Sequence, residues 1–96
     1  MRPSDAIRHY RPEIRRLIEY HRLHNAKVFG STLHGTDQEG SDLDLLVDPS
    51  PDTTLMDLAA AQLGLTRLLG LRVDLLTPGD LPAKVRQQVI DEARPL

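Results

Sequence analysis

A chain of 96 residues with 40% hydrophobic side chains and a formal charge of −2 has material for one modest core, which points to a single domain over residues 1–96. It contains no cysteine, which excludes disulfides and thiolate metal sites. No apolar run nears the roughly 20 residues that a membrane-spanning helix needs, and no leader-like apolar segment follows Met1, so a cytoplasmic location is expected. The charge is unevenly placed. Residues 1–27 hold six Arg and Lys27 against Asp5, Glu13 and Glu19, a balance of +4, which leaves −6 for residues 28–96. With Tyr10, Tyr20 and Phe29 as its only aromatic residues, the chain lacks stacking platforms, and direct nucleic-acid binding is not expected.

Taken in chain order, Ser4 and Asp5 open a helix, and Ile7, Tyr10, Ile14, Leu17 and Ile18 fall near one face of it. Pro12 divides this stretch into a short helix ending near Tyr10 and a second running to about Leu23. Asn25-Ala26 reads as a turn, and Lys27 to Phe29 as a short strand ending at Gly30-Ser31. Residues 32–40 form a helical turn and a polar loop. Asp42 to Val47 is a buried strand stopped by Asp48-Pro49-Ser50-Pro51. Thr54, with Asp57 three residues on, caps a Leu-rich helix that ends at Gly70. Leu71 to Leu76 is a third strand. Asp80 then caps a last helix whose inner face is Leu81, Val85, Val89 and Ile90. The order α-β-α-β-α-β-α predicts an α/β or α+β fold, a small mixed sheet flanked by helices.

Chemistry concentrates in two stretches. Gly30-Ser31 lies where a strand feeds a helical turn, a place where glycine admits a phosphate and free N–H groups attract it. Asp42 and Asp44 stand two apart on a strand, so both carboxylates project from one face while Leu43, Leu45 and Val47 enter the core. Two such carboxylates repel unless a cation lies between them. Magnesium suits the pair, because it takes a few carboxylate oxygens and leaves positions for water and substrate phosphates. Asp74, set in the apolar strand Leu71-Arg72-Val73-Asp74-Leu75-Leu76, completes a two-metal site if that strand lies beside the second. The plainer readings are a solvated strand end for Asp42 and Asp44, turn glycines for Gly30 and Gly35, and a surface residue paired with Arg72 or Lys27 for Asp74. The stretch of ten residues separating Gly30-Ser31 from Asp42-Leu43-Asp44 favours the site. His21 and His24 lack further ligands for zinc.

These residues resemble the minimal nucleotidyltransferases of the DNA polymerase β-like superfamily, whose signature is Gly-Ser, ten residues, Asp-x-Asp and a later acidic residue on another strand. The likeness extends to the Leu-Leu-Val run after Asp44, to Asp74-Leu75-Leu76-Thr77-Pro78 and to the closing helix. It implies the fold of that superfamily and transfer of a nucleotidyl group, AMP from ATP, to an acceptor hydroxyl with two Mg2+ ions. By position, Asp42, Asp44 and Asp74 become the metal-binding and catalytic residues, and Gly30 and Ser31 the nucleotide-binding ones. Small relatives of this kind serve as antitoxins beside a HEPN-domain ribonuclease toxin, which implies a hetero-oligomer and a tyrosine hydroxyl on that partner as acceptor. Two alternatives stand beside this: an antitoxin that acts by occlusion without turnover, and a small-molecule transferase whose pocket a partner completes. One departure from the pattern is His34, where many relatives carry Arg. The missing cation is then expected from His34 itself or from the N-terminal helix, through Arg15 or Arg22.

Overall fold

The computed structural model describes residues 1–96. A four-stranded mixed sheet of order β3-β2-β1-β4 is built from β1 (Leu23–Phe29), β2 (Leu43–Pro49), β3 (Val73–Leu76) and β4 (Arg94–Pro95). The central pair β1–β2 is antiparallel, β3 adds to β2 in parallel, and β4 adds antiparallel to the outer edge of β1. Helices α1 (Pro3–Tyr20), α2 (Ser31–His34), α3 (Leu55–Leu69) and α4 (Ala83–Glu92) complete the chain, and the 3-10 turn Pro78–Asp80 lies between β3 and α4. This is the α+β, mixed-sheet architecture that the order of elements predicts.

The main core lies on one face of the sheet. Ile14 and Ile18 of α1 and Ala61, Leu65 and Leu69 of α3 pack there on Leu43, Leu45 and Val47 of β2. Gly64 sets how closely the two helices approach, since a Cβ there would stand 3.0 Å from Leu17 Cδ1. The opposite face holds a smaller cluster of Leu46, Leu81 and Ala93, with Phe29, Val89 and Ile90 against it, under α4. Alternation along β2 therefore sends Leu43, Leu45 and Val47 to one side and Asp44 and Leu46 to the other.

The division expected at Pro12 is present as a kink in α1: Tyr10 (φ −119°, ψ 17°) leaves helical geometry two residues before the proline and joins two helical segments. Proline removes one N–H and crowds the preceding turn, and both segments bury apolar residues in the same core, Ala6 and Ile7 from the first and Ile14 and Ile18 from the second. Other local expectations are corrected. Asn25-Ala26 is no turn: β1 starts at Leu23, and Asn25, at φ 53°, sits in the irregularity where the β1–β2 register shifts. The reversal falls earlier, at Arg22 (φ 63°). Asp80 closes its own 3-10 turn, its Oδ2 accepting from the Thr77 N–H at 3.0 Å, and α4 starts later, after Pro82. Val85 points outward at 38% exposure and takes no part in an inner face. The Thr54–Asp57 cap does form, with the Thr54 N–H donating to Asp57 Oδ2 at 2.9 Å and the Asp57 N–H to Thr54 Oγ1 at 3.2 Å. No helix is long and apolar enough to cross a membrane.

Candidate active site

Strand pairing brings the site together. In the β1–β2 register Asp44 faces Phe29, the residue before Gly30, and in the parallel β2–β3 register it faces Asp74. Neighbouring strands lie about 4.8 Å apart, so the Gly30-Ser31 turn, Asp44 and Asp74 occupy three adjacent strands at one end of the sheet. Asp42, one residue ahead of β2, continues the same face. Gly30, Asp42, Asp44 and Asp74 are thus gathered on the face opposite the main core, with Ser31 next to Gly30 at the start of α2.

Gly30 also shapes the carboxylate site. It adopts φ 74°, ψ −151°, a conformation open to glycine. A Cβ at this position would stand 2.2 Å from Asp44 Oδ2. The glycine is the cradle of the Asp44 carboxylate as well as the entry to α2. The first N–H groups of α2 follow at once, and helix geometry leaves such groups without intrahelical acceptors.

The Asp44 carboxyl is strongly perturbed. Burial, then the charges of Asp74 and Asp42, push its pKa up to about 6 from an ordinary 3.8. Asp42 and Asp74 are partly open, with side chains 39% and 38% exposed. A cation of the chain already lies between these two: Arg72 Nε stands 3.6 Å from Asp42 Oδ2 and 4.0 Å from Asp74 Oδ1. With 75% of its side chain exposed, Arg72 is held loosely and is readily displaced. Arg72 lies one residue ahead of β3, two positions from Asp74, and so falls on the same side as that carboxylate.

No three acidic or imidazole groups are drawn together tightly enough to enclose an ion. An open, all-oxygen donor set on one face fits a hard divalent cation that keeps water and phosphate ligands, and it does not fit a closed structural site. The crowding of Asp44 by like charge and the Arg72 guanidinium beside its neighbours both mark a place that favours added positive charge.

The cations expected in place of the missing arginine lie elsewhere. Arg22 pairs with Asp52 at 2.9 Å, and Arg15 donates to the Leu96 carbonyl. Both lie toward the Leu23 end of β1, a seven-residue strand whose other end leads into Gly30, a separation of roughly 20 Å at the usual rise. Neither can reach a phosphate at Gly30-Ser31. His34 closes α2, with its Nε2 3.5 Å from Glu92 Oε2 of α4.

A mixed sheet that sets a Gly-Ser turn against aspartates on neighbouring strands defines a nucleotidyl-transferring domain. A family model described as nucleotidyltransferase domain matches residues 10–96, and the chain belongs to that family of transferase enzymes. It is 38% identical over 65 residues to the protein adenylyltransferase MntA of Thermococcus cleftensis, covering 68% of this chain and 66% of that protein. A solved structure provisionally described as a minimal nucleotidyltransferase superposes with a TM-score of 0.86 at 40% identity, over 97% of this chain and 95% of the other. A crystal structure of a toxin–antitoxin with AMP-PNP shares the fold at 23% identity, with a TM-score of 0.73 over 88% of this chain and 69% of that one.

Proposed function

We propose that the chain is a metal-dependent protein adenylyltransferase that moves AMP from ATP to a hydroxyl of a partner protein, and that the partner is a HEPN-domain ribonuclease toxin which it neutralises. The observation that carries this reading is the register match of Asp44 with Asp74 beside Gly30. It is supported by the protein adenylyltransferase named among the relatives and by the toxin–antitoxin with AMP-PNP that shares the fold.

Asp42, Asp44 and Asp74 are the residues that would hold Mg2+, two ions in the family pattern. When bound, the metal neutralises the clustered carboxylates and phosphates and polarises the phosphorus under attack. Gly30, Ser31 and the start of α2 orient the β- and γ-phosphates through backbone N–H groups and the serine hydroxyl. The acceptor oxygen forms a bond to the α-phosphorus, the bond to pyrophosphate breaks, and the hydroxyl proton passes to a carboxylate oxygen of Asp74. Asp74 suits that duty because it is partly open and lies on the outer strand β3, away from the phosphate turn. The contribution of the chain is positioning and charge neutralisation.

The direct test is to co-express the chain with the protein encoded beside it, supply ATP and magnesium, and weigh the intact partner. A gain of one or more AMP units, absent with Asp42→Asn, Asp44→Asn, is the expected result. A partner that is neutralised yet never gains mass would replace transfer with occlusion.

A further inference from the structure

An open cavity of about 300 Å³ lies behind the Gly30-Ser31 turn, between α1 and α2. Its floor is apolar, made by Ile7, Val28 and Leu33, and its rim carries Arg8 and Arg11. Thr32 also lines it, and the Thr32 hydroxyl oxygen is buried without any hydrogen-bond partner. A buried hydroxyl left unsatisfied costs about 1–3 kcal/mol, and this is the only such side-chain atom in the chain. Arg11 enters none of the chain's ion pairs, and Arg8 meets only Asp5, at 3.4 Å with 71% of its side chain exposed. Val28 and the neighbouring Phe29 point to opposite faces of β1, so this cavity is on the far side of the sheet from Asp44.

We propose that this cavity docks an acidic segment of the protein acceptor, with an apolar side chain on the Ile7–Val28–Leu33 floor, a carboxylate across Arg8 and Arg11, and a hydrogen bond to the Thr32 hydroxyl. Charge favours that occupant, since residues 1–27 carry a balance of +4 and charge complementarity steers a partner of opposite sign. The arginine fork pairs with a carboxylate through two parallel hydrogen bonds. No aromatic ring lines the cavity for a base to stack on, which disfavours single-stranded RNA as the occupant. Docking here also presses on the first turn of α2, one residue from Ser31. The inference deepens the proposed function by naming where the acceptor is gripped, and it rests on that reading for the proteinaceous nature of the acceptor.

Because the test reads binding alone, its failure leaves AMP transfer untouched. Isotope-labelled chain is titrated with the capped peptide Leu-Glu-Leu-Glu, its Leu-Gln-Leu-Gln counterpart and inorganic phosphate, following the Val28, Thr32 and Leu33 resonances. The expected result is saturable shifts at these three residues with the glutamate peptide, weakened about tenfold or more, a loss of roughly 1.4 kcal/mol, by Arg8→Gln, Arg11→Gln. Thr32→Val should leave the free protein as stable or more so, because it removes an unsatisfied group, yet weaken the same peptide. The absence of shifts, equal shifts with the glutamine peptide, indifference to both variants, or binding of phosphate without peptide would each overturn the proposal.

Discussion

The two faces of β2 are built from alternate residues of one seven-residue strand, and they have opposite character. Leu43, Leu45 and Val47 are 0–1% exposed and packed between α1 and α3. On the other face Asp44, with Asp42 just ahead of the strand and Asp74 beside it, stands in a cluster where burial and like charge raise its pKa to about 6. The first face contributes burial, at roughly 25 cal/mol per Å² of apolar surface. The second costs stability in the absence of a cation and of a substrate. A strand can carry this burden because its leucine face anchors it from behind, so the carboxylates are held in place by contacts they do not make themselves. Stability and activity should therefore separate cleanly between odd and even positions.

The largest separation is expected at Asp74. Asp74→Asn should lower AMP transfer by about 10³-fold while changing MgATP affinity far less, within the range for loss of a general base; single-turnover rates beside equilibrium binding would show it. Equal losses in both would move Asp74 to the phosphate side of the site. Leu45→Ala tests the other face: truncating a fully buried leucine should cost about 3 kcal/mol in urea unfolding, and MgATP affinity per folded molecule should be unchanged. Gly30→Ala lies on the border between the two. Its Cβ would meet Asp44 Oδ2 at 2.2 Å and its φ is positive, so a loss of about 2 kcal/mol is expected together with weakened MgATP binding. An alanine variant that melts and binds like the wild type would remove the glycine from the site.

The smallest effect is a pH dependence of the metal-free protein. Asp44 is raised from 3.8 to about 6, so between those values the folded state holds a proton that the unfolded state has lost. Stability from this group is therefore highest below about pH 4, falls as pH rises through 6, and stays at its reduced level above. A shift of this size corresponds to about 3 kcal/mol, and screening at a half-open site reduces that to about 1 kcal/mol. In chelator, Asp44→Asn should melt above the wild type at pH 8, and the gap should close by pH 4. A gap that widened toward low pH would contradict the origin assigned to it.

Much of the site was legible because its grammar is local. Asp42 and Asp44 share a face by strand alternation alone, and the Gly30-Ser31 turn needs only its own residues. The partnership of Asp74 was legible only as a condition, since it depends on which strand lies beside β2. Pairings distant in sequence hid the rest. The two residues of β4 become a strand through Lys27↔Pro95 and Val28↔Arg94, a match that periodicity over so short a stretch cannot reveal. Asn25 looked like a turn because turn residues and bulge residues have the same chemistry. Arg15 and Arg22 resembled phosphate ligands in composition, but the length of β1 carries them away from Gly30.

Calorimetric titration of MgATP into the wild type and into Asp42→Asn, Asp44→Asn, with thermal melts of both in chelator, bears most directly on the division between the two faces. The variant is expected to melt at the same temperature or higher, since like-charge repulsion is gone and the leucine face is intact, while MgATP binding is lost. Unchanged MgATP affinity in a folded variant would contradict that division.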